Sequence, residues 1–262
     1  MHPIIFRAGK FVVYSYSLMV VVAFAAALIY TYYEAKRVGE DPARVVDCGI
    51  YVFIACIVGG RLMHCLINYR IYLQDPVRIF KIWEGGLVFY GGLILGSLVI
   101  IVYVLSHKLN LAKWADMSAC VPMIGLFFGR IGCYLNGCCY GSIAPSWLPW
   151  KVKYPAGSMP LELAGVPLHP APLYEALAAL AIFVFLVWRS RHKRFESEIM
   201  WLMFFWYAVA RFFLEFLRAD ERGGIASIRL STSQLIAVFF FLLSAVFLVK
   251  NYANPKTKES AT

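Results

Sequence analysis

Long runs of apolar residues, separated by short polar connections, make up most of the chain. Each run has about the 20 residues that a helix needs to cross the hydrocarbon core of a bilayer. None shows the sustained two-residue alternation of a membrane β-strand, so strands are not expected. We predict an all-α integral membrane protein with seven transmembrane helices. The predicted spans are residues 11–33, 45–67, 85–105, 117–135, 171–188, 199–217 and 232–249.

The composition supports a membrane protein. Of the 262 residues, 61% are hydrophobic and only 15% are charged, against about 45–50% and about 25% in soluble domains. These values exclude a disordered chain, a coiled coil and an ordinary cytosolic enzyme. Because no internal repeat or soluble domain is visible, we expect one polytopic membrane domain over residues 1–262. Its longest connection, residues 141–170, is rich in Pro, Gly and Trp.

The positive charge predicts an orientation. In a soluble protein a net charge of +10 would favour nucleic-acid binding, but basic residues normally flank membrane spans, so no nucleic-acid partner is expected. The densest basic cluster, residues 189–194, lies between the fifth and sixth spans. Placing this cluster on the cytoplasmic side puts the N-terminus and residues 141–170 outside and the C-terminus inside.

Charged residues lie within the sixth predicted span. Tyr207, Arg211 and Glu215 are spaced four residues apart, and Arg218 follows three residues later. This spacing places all four side chains on one helix face. Charges in a span are costly, so we interpret the face as functional; an intrahelical ion pair between Arg211 and Glu215 is the alternative. Arg211 is about 9 Å along the helix from the outer end of the span, within reach of lipid headgroups.

A second candidate site ends the fourth span. Arg130 is flanked by Gly129 and Gly132, and Asn136 follows before the chain turns. Glycines allow a ligand or a backbone to approach closely, and an arginine can bind a phosphate with two hydrogen bonds. A glycine-rich helix end without chemistry is the alternative.

Three of the seven cysteines, Cys133, Cys138 and Cys139, follow Arg130 closely. They suggest metal or disulfide chemistry. Adjacent cysteines are poorly placed for one tetrahedral site, however, and no histidine is near in sequence. We therefore expect no metal.

Other candidates are isolated polar residues at span ends or within spans. His169 precedes Tyr174 and Glu175 at the start of the fifth span. The remaining candidates are Tyr16 in the first span, Arg61 after two glycines in the second and Tyr90 before two glycines in the third. Each of these three residues, taken alone, is more often a packing residue than a catalytic one.

In combination these segments resemble a known family. Residues 129–141, Gly-Arg-Ile-Gly-Cys-Tyr-Leu-Asn-Gly-Cys-Cys-Tyr-Gly, are similar to the signature of bacterial prolipoprotein diacylglyceryl transferases. Further segments resemble the family's other motifs in the same order and cover nearly the whole chain. They are residues 16–19, 85–92, 169–175, 211–218 and 231–235.

The resemblance implies a seven-helix enzyme of the bacterial inner membrane whose site opens to the periplasmic leaflet. Such enzymes transfer the diacylglyceryl group of phosphatidylglycerol to the lipobox cysteine thiol of a preprolipoprotein, which forms a thioether and releases glycerol phosphate. The expected partners are phosphatidylglycerol, the signal peptides of preprolipoproteins and the lipid bilayer. No metal or soluble cofactor is implied.

Together, the resemblance and the residue patterns assign roles. We expect Arg130, Arg211, Tyr90 and Tyr207 to be catalytic. We expect substrate contacts from Tyr16, Arg61, Asn136, Gly141, His169, Glu215 and Arg218.

The chain departs from the family's pattern at a few positions. Tyr90 stands where some relatives have a histidine proposed as a base, Cys133 replaces an asparagine, Cys138 a glutamate and Pro172 a polar residue. The identity of the base is therefore open. We expect the arginines to lower the pKa of the acceptor thiol and Tyr90 to orient the substrate.

Two other functions remain as alternatives. Intramembrane arginines could line the pore of an anion or lipid transporter, for which matching broken helices in two halves would be typical. The cysteines could serve a membrane thiol redox protein, although the chain has no Cys-x-x-Cys pair.

Overall fold

The computed structural model describes residues 1–8, 11–81, 85–155, 163–219, 224–225 and 230–253. Within these ranges the chain is mainly helical, with short two-stranded antiparallel ribbons. The helices are α1 (Ser15–Val38), α2 (Pro42–Ile67), α3 (Tyr69–Gln74), α4 (Phe89–Ser106), α5 (Leu111–Ser118), α6 (Val121–Asn136), α7 (Ala171–Ser190), α8 (Glu198–Glu215) and α9 (Thr232–Ala253). The ribbons pair β1 (Ile4–Ala8) with β2 (Phe11–Tyr14), β3 (Val152–Lys153) with β4 (Pro167–Leu168), and β5 (Gly224–Ile225) with β6 (Leu230–Ser231).

The helices confirm a multi-span membrane protein. Among the described residues, six segments are long and apolar enough to cross a bilayer: α1, α2, α4, α5 together with α6, α7 and α9. The predicted sixth span coincides with α8, which also has 18 residues. Helix α8 contains three charged residues, Glu198, Arg211 and Glu215, whereas each of the six segments has an 18-residue stretch with at most two.

Two predicted spans have different boundaries in the structure. The first does not begin at residue 11, because residues 11–14, Phe-Val-Val-Tyr, form β2 against β1, and α1 begins at Ser15. Aromatic and β-branched residues favour such pairing, so the first four residues of this predicted span form a strand. The spans themselves are helical, as expected. The fourth span is divided into α5 and α6, where Pro122 starts the new helix.

The chain forms two compact units, Tyr30–Trp114 and a second comprising Met1–Ile29 and Ala115–Thr262. In the first unit α2 packs closely on α4. A Cβ on Gly59 would lie 2.3 Å from the carbonyl oxygen of Gly91, and one on Gly92 would lie 2.9 Å from that of Cys56. Small residues at such crossings let two membrane helices approach. Helix α2 continues unbroken through Gly59 and Gly60.

Arg61, also in this first unit, is buried by a loop that it binds. Its guanidinium donates to the backbone carbonyls of Ile79 at 2.9 Å and Gly85 at 2.6 Å, and also to those of Arg78 and Lys81. A buried arginine whose donors are all paired with carbonyls avoids the penalty of unmet hydrogen bonds. This geometry favours a structural role for Arg61, which holds the backbone of residues 78–81 and 85–86.

In the second unit, buried acidic residues connect one end of α8 to its neighbours. Asp116 on α5 accepts hydrogen bonds from the backbone N–H groups of Ser197 at 2.9 Å, Ile199 at 2.9 Å and Met200 at 3.2 Å. Lys193 lies 3.4 Å from the same carboxylate. Asp116 therefore caps the N-terminus of α8, where backbone donors are otherwise unpaired.

Glu198 reinforces the same end. It is fully buried, pairs with Arg189 of α7 and accepts a hydrogen bond from the hydroxyl of Tyr252 on α9. The basic cluster at 189–194 is thus held in place by two carboxylates. From Glu198 to Arg211 the helix rises about 20 Å, so the charged residues of α8 form two groups at opposite ends.

Replacing Asp116 tests the importance of this cap. Asp116→Ala leaves three backbone donors, of which that of Ile199 is buried, and Lys193 without their partner, and we expect the free energy of unfolding to fall by about 3 kcal/mol. The control is Asp41→Ala, which removes one exposed capping bond to the N–H of Ala43 and should cost about 1 kcal/mol. Unfolding in mixed detergent micelles measures both. Equal losses in the two variants would contradict this role.

Candidate active site

A single buried carboxylate, Glu175 on α7, lies between three arginines. Arg130 of α6 is 2.9 Å from its Oε2, Arg211 of α8 is 3.8 Å from its Oε1, and Arg218 donates a hydrogen bond to Oε1. The side chain of Glu175 is only 3% exposed. The structure therefore brings together Arg130, Arg211 and Arg218, which the sequence had placed in two separate candidate sites.

A second carboxylate orients Arg211. Glu215 lies 2.7 Å from Arg211 Nη2, as the four-residue spacing predicted. The hydroxyl of Ser231 donates to Glu215 at 2.7 Å, and Arg211 itself donates to Ser233 at 3.2 Å. Gln234 pairs with Ser231 in a reciprocal cap at the start of α9.

Three polar partners of the arginines and of Glu215, namely Glu175, Ser231 and Ser233, were absent from the predicted site. Glu175 had been noted only as a polar residue at the start of the fifth span, because its pairing depends on how three helices pack. The signal for Ser231 and Ser233 was the segment at 231–235 that resembles a family motif, but it assigned them no contact.

The arginine cluster, Arg130, Arg211 and Arg218 with Glu175 and Glu215, has one positive charge in excess. Arg211 Nη1 is buried and has no hydrogen-bond partner among the described residues. A buried donor without a partner costs free energy, and an anion would satisfy it. Tyr207 lines a narrow crevice beside Glu175 and Arg211. The cluster therefore has both the charge and the open donor of an anion site.

Gly141 allows the loop after α6 to reach this cluster. Its N–H donates to the carbonyl of His169 at 3.1 Å, and the next residue, Ser142, donates to that of Leu217 at 2.9 Å. A Cβ at Gly141 would lie 2.6 Å from the His169 carbonyl oxygen and 2.7 Å from that of Leu217. Only glycine fits between these backbones, and the contact positions Arg218, which is bridged to Gly141.

His169 belongs to a small polar group in the 141–170 connection, of which residues 156–162 lie outside the described residues. Its Nδ1 lies 3.2 Å from the hydroxyl of Tyr174, and this hydroxyl accepts a hydrogen bond from the indole of Trp150 at 2.7 Å. The structure thus connects His169 to the start of α7 through Tyr174, immediately before Glu175.

Tyr16 and Asn136 lie in the same unit as the cluster. Tyr16 packs against Gly132, where a Cβ would be 3.2 Å from the tyrosine ring. This close contact brings the start of α1 to the α6 turn that carries Arg130. Asn136 is exposed at the end of α6.

Tyr90 and Arg61 lie in the other unit, Tyr30–Trp114. Tyr90 is exposed near the start of α4, and Arg61 is occupied by backbone carbonyls as described above. Their contacts with substrate stay predictions.

The cysteines after Arg130 form a compact group. The sulfur atoms of Cys133, Cys138 and Cys139 all lie within 4.8 Å of one another. Hydrogen bonds from the thiols of Cys133 and Cys138, and then the positive charges of Arg130 and Arg218, lower the pKa of the Cys139 thiol.

Comparison with known proteins gives one consistent result. A family model described as prolipoprotein diacylglyceryl transferase matches residues 3–250. The chain is 35% identical to the phosphatidylglycerol–prolipoprotein diacylglyceryl transferase of Methylococcus capsulatus over 96% of both chains. It is 34% identical to a like-named enzyme of Geobacter sulfurreducens over 94% of both, and 34% identical to transferase 2 of Clostridium perfringens over 88% of both.

The contact at Gly141 can be tested by adding one methyl group. Gly141→Ala forces a Cβ into two backbone carbonyls, and we expect the free energy of unfolding to fall by about 2 kcal/mol. Gly125→Ala is the matched control, because a Cβ at Gly125 meets no atom within 4 Å. Thermal unfolding in detergent compares the two. A Gly141→Ala protein as stable as the control would show that the loop does not need this approach.

Proposed function

The chain belongs to the prolipoprotein diacylglyceryl transferase family, and from this membership we propose how its arginine cluster carries out the reaction. The protein is a multi-pass membrane enzyme that transfers a diacylglyceryl group from phosphatidylglycerol to prolipoproteins.

The reaction that we propose is a displacement at carbon. The thiol of the acceptor's lipobox cysteine loses its proton and attacks the glycerol methylene that carries the phosphate ester. A carbon–sulfur bond forms, the carbon–oxygen bond to phosphate breaks, and glycerol phosphate leaves with the electron pair. The site therefore has to stabilise a thiolate and a leaving phosphate.

The unpaired donor of Arg211 supports the arginine cluster in this role. Arg211 Nη1 is buried without a hydrogen-bond partner among the described residues, in a cluster with one excess positive charge. A guanidinium can bind phosphate oxygens through two parallel hydrogen bonds. The arginine side chains are at most 16% exposed. Because little water reaches them, their charges act more strongly on a developing anion than they would in solution.

The same charges favour ionisation of the acceptor. A free cysteine thiol has a pKa of about 8.5, and adjacent arginines lower such values. We infer that the arginine field supplies most of the activation. Tyr207 in the crevice and Tyr16 beside the α6 turn contact substrate, and Tyr90 orients it through its hydroxyl.

The remaining residues have positioning roles. Glu175 fixes Arg130 and Arg218, and Glu215 orients Arg211. Gly141 and His169 hold the loop beside Arg218. Asn136, exposed at the end of α6, contacts the substrate headgroup.

We further propose seven spans, with α8 as the additional one, in the bacterial inner membrane. The basic cluster at 189–194 is cytoplasmic, because basic residues favour that side of the membrane. Asp116 and Glu198 hold this cluster at one end of α8. The arginine cluster is at the other end, in the periplasmic leaflet. Trp147 and Trp150, both exposed, are typical of a membrane–water interface. The N-terminus is then periplasmic and the C-terminus cytoplasmic.

A direct assay tests the activity. Purified protein mixed with phosphatidylglycerol and a lipobox peptide should add one diacylglyceryl group to the peptide cysteine, seen as a mass increase. A peptide with serine in place of that cysteine is the control and should remain unmodified. Unmodified cysteine peptide, under conditions in which a known transferase works, would contradict the activity.

Lysine substitutions test the phosphate-binding role. Arg130→Lys and Arg211→Lys keep the charge but lose the two-pronged donor, and we expect kcat/KM to fall by at least about 100-fold, or about 2.7 kcal/mol. Tyr90→Phe should lose less, and raising the pH should partly restore it by ionising the acceptor. Arg70→Lys, at an exposed arginine outside the cluster, should match the wild type. An active Arg211→Lys enzyme beside an inactive Tyr90→Phe would reverse this ranking.

Reporter fusions test the orientation. A reporter joined after Trp188 should be active as a cytoplasmic fusion, because the basic cluster at 189–194 stays on the cytoplasmic side of the membrane. A reporter joined after Trp150 should be active as a periplasmic fusion. The opposite pattern would place the arginine cluster in the cytoplasmic leaflet.

A further inference from the structure

We propose that Cys133, Cys138 and Cys139 form a binding site for one thiophilic metal cation with three sulfur ligands, for which Cu(I) is the best match. The transfer reaction has no use for these thiols, because the acceptor supplies its own. The site is therefore an addition to the enzyme's chemistry.

The distances fit one ion. All three sulfur atoms lie within 4.8 Å of one another. A metal–sulfur bond of about 2.3 Å, as in zinc thiolates, would place three sulfurs in trigonal coordination about 4 Å apart. Side-chain rotations that move the sulfur atoms by less than about 1 Å would bring them to the distances needed around one ion.

The backbone after α6 brings the thiols together. Gly137 ends the helix with φ +78°, and the N–H of Cys138 returns to the carbonyl of Cys133 at 3.1 Å. Cys139 then has φ +61°, a left-handed conformation that costs a residue with a β-carbon about 1–2 kcal/mol. These turns direct the adjacent sulfurs of Cys138 and Cys139 toward Cys133. Adjacent cysteines are poorly placed for a tetrahedral site, but this objection does not apply to an ion with three ligands.

The composition of the group favours Cu(I). Within the described parts of the chain, no histidine or carboxylate joins the three sulfurs, so a fourth protein ligand is lacking. Soft thiolates select ions such as Cu(I). Three thiolates around a monovalent ion carry net negative charge, and Arg130 lies on the same helix as Cys133, three residues before it. The surroundings therefore stabilise the anionic centre.

Tyr154 provides a second observation. Its hydroxyl is buried and has no hydrogen-bond partner among the described residues. Its ring centroid lies 6.2 Å from that of Tyr140, the residue that follows Cys139. A buried donor near the thiols is suited to a metal-bound thiolate, because ligands of metal sites are commonly hydrogen-bonded by a second layer of residues.

Anaerobic titration with Cu(I) tests the site. Reduced protein in detergent competes with a coloured Cu(I) chelator, and we expect one Cu(I) per wild-type chain. Cys133→Ser, Cys138→Ser and Cys139→Ser should each weaken binding at least about 10-fold. Cys56→Ser and Cys65→Ser change cysteines of α2 outside the group and should bind as the wild type does. Thermal unfolding without metal verifies that each variant folds.

X-ray absorption of the copper-loaded wild type provides a test that needs no variant. We expect three sulfur ligands and no nitrogen or oxygen ligand. Two-sulfur coordination would overturn the proposal. Failure of the fully reduced wild type to bind Cu(I), or unchanged binding by a Cys138→Ser/Cys139→Ser protein, would overturn it as well.

Discussion

The ion pairing of one buried carboxylate, Glu175, with three arginines is the interaction on which the site depends. Arg130, Arg211 and Arg218 come from the ends of two helices and the turn after one of them, and their like charges would repel without Glu175. A buried charge is tolerated only when it is paired and hydrogen-bonded. Helices α6, α7 and α8 therefore converge where the carboxylate is, and the loop at Gly141 closes onto that point.

The arginine cluster is tolerated in a buried position because its two carboxylates neutralise most of its charge. The one positive charge that remains allows it to attract an anion. Glu215 neutralises a second arginine, which leaves one positive charge and one unpaired N–H of Arg211. We propose that a lipid phosphate supplies the missing negative charge and the missing hydrogen-bond acceptor. Asp116 and Glu198 perform a purely structural task at the far end of α8, where each of their oxygens is paired within the protein.

Local patterns in the sequence predicted local features well. The second, fifth and seventh spans correspond closely to α2, α7 and α9, because the length of an apolar run sets the helix that crosses a bilayer. The spacing of Arg211 and Glu215 predicted their ion pair for the same local reason. The pairing of Arg130 with Glu175 could not be predicted, since it depends on the packing of two helices 45 residues apart in sequence. Arg61 shows the opposite case. A charge in a span suggested substrate binding, and the sequence did not show that backbone carbonyls of residues 78–81 and 85–86 accept its hydrogen bonds.

The central claim is that the arginine cluster binds the phosphate that leaves. Calorimetric titration of the purified enzyme with glycerol phosphate, the leaving group itself, measures this without any catalysis. We predict saturable binding to one site, competition with phosphatidylglycerol, and at least about 10-fold weaker affinity in Arg211→Lys, with Arg70→Lys unchanged. Equal affinity in the wild type and Arg211→Lys would contradict the claim.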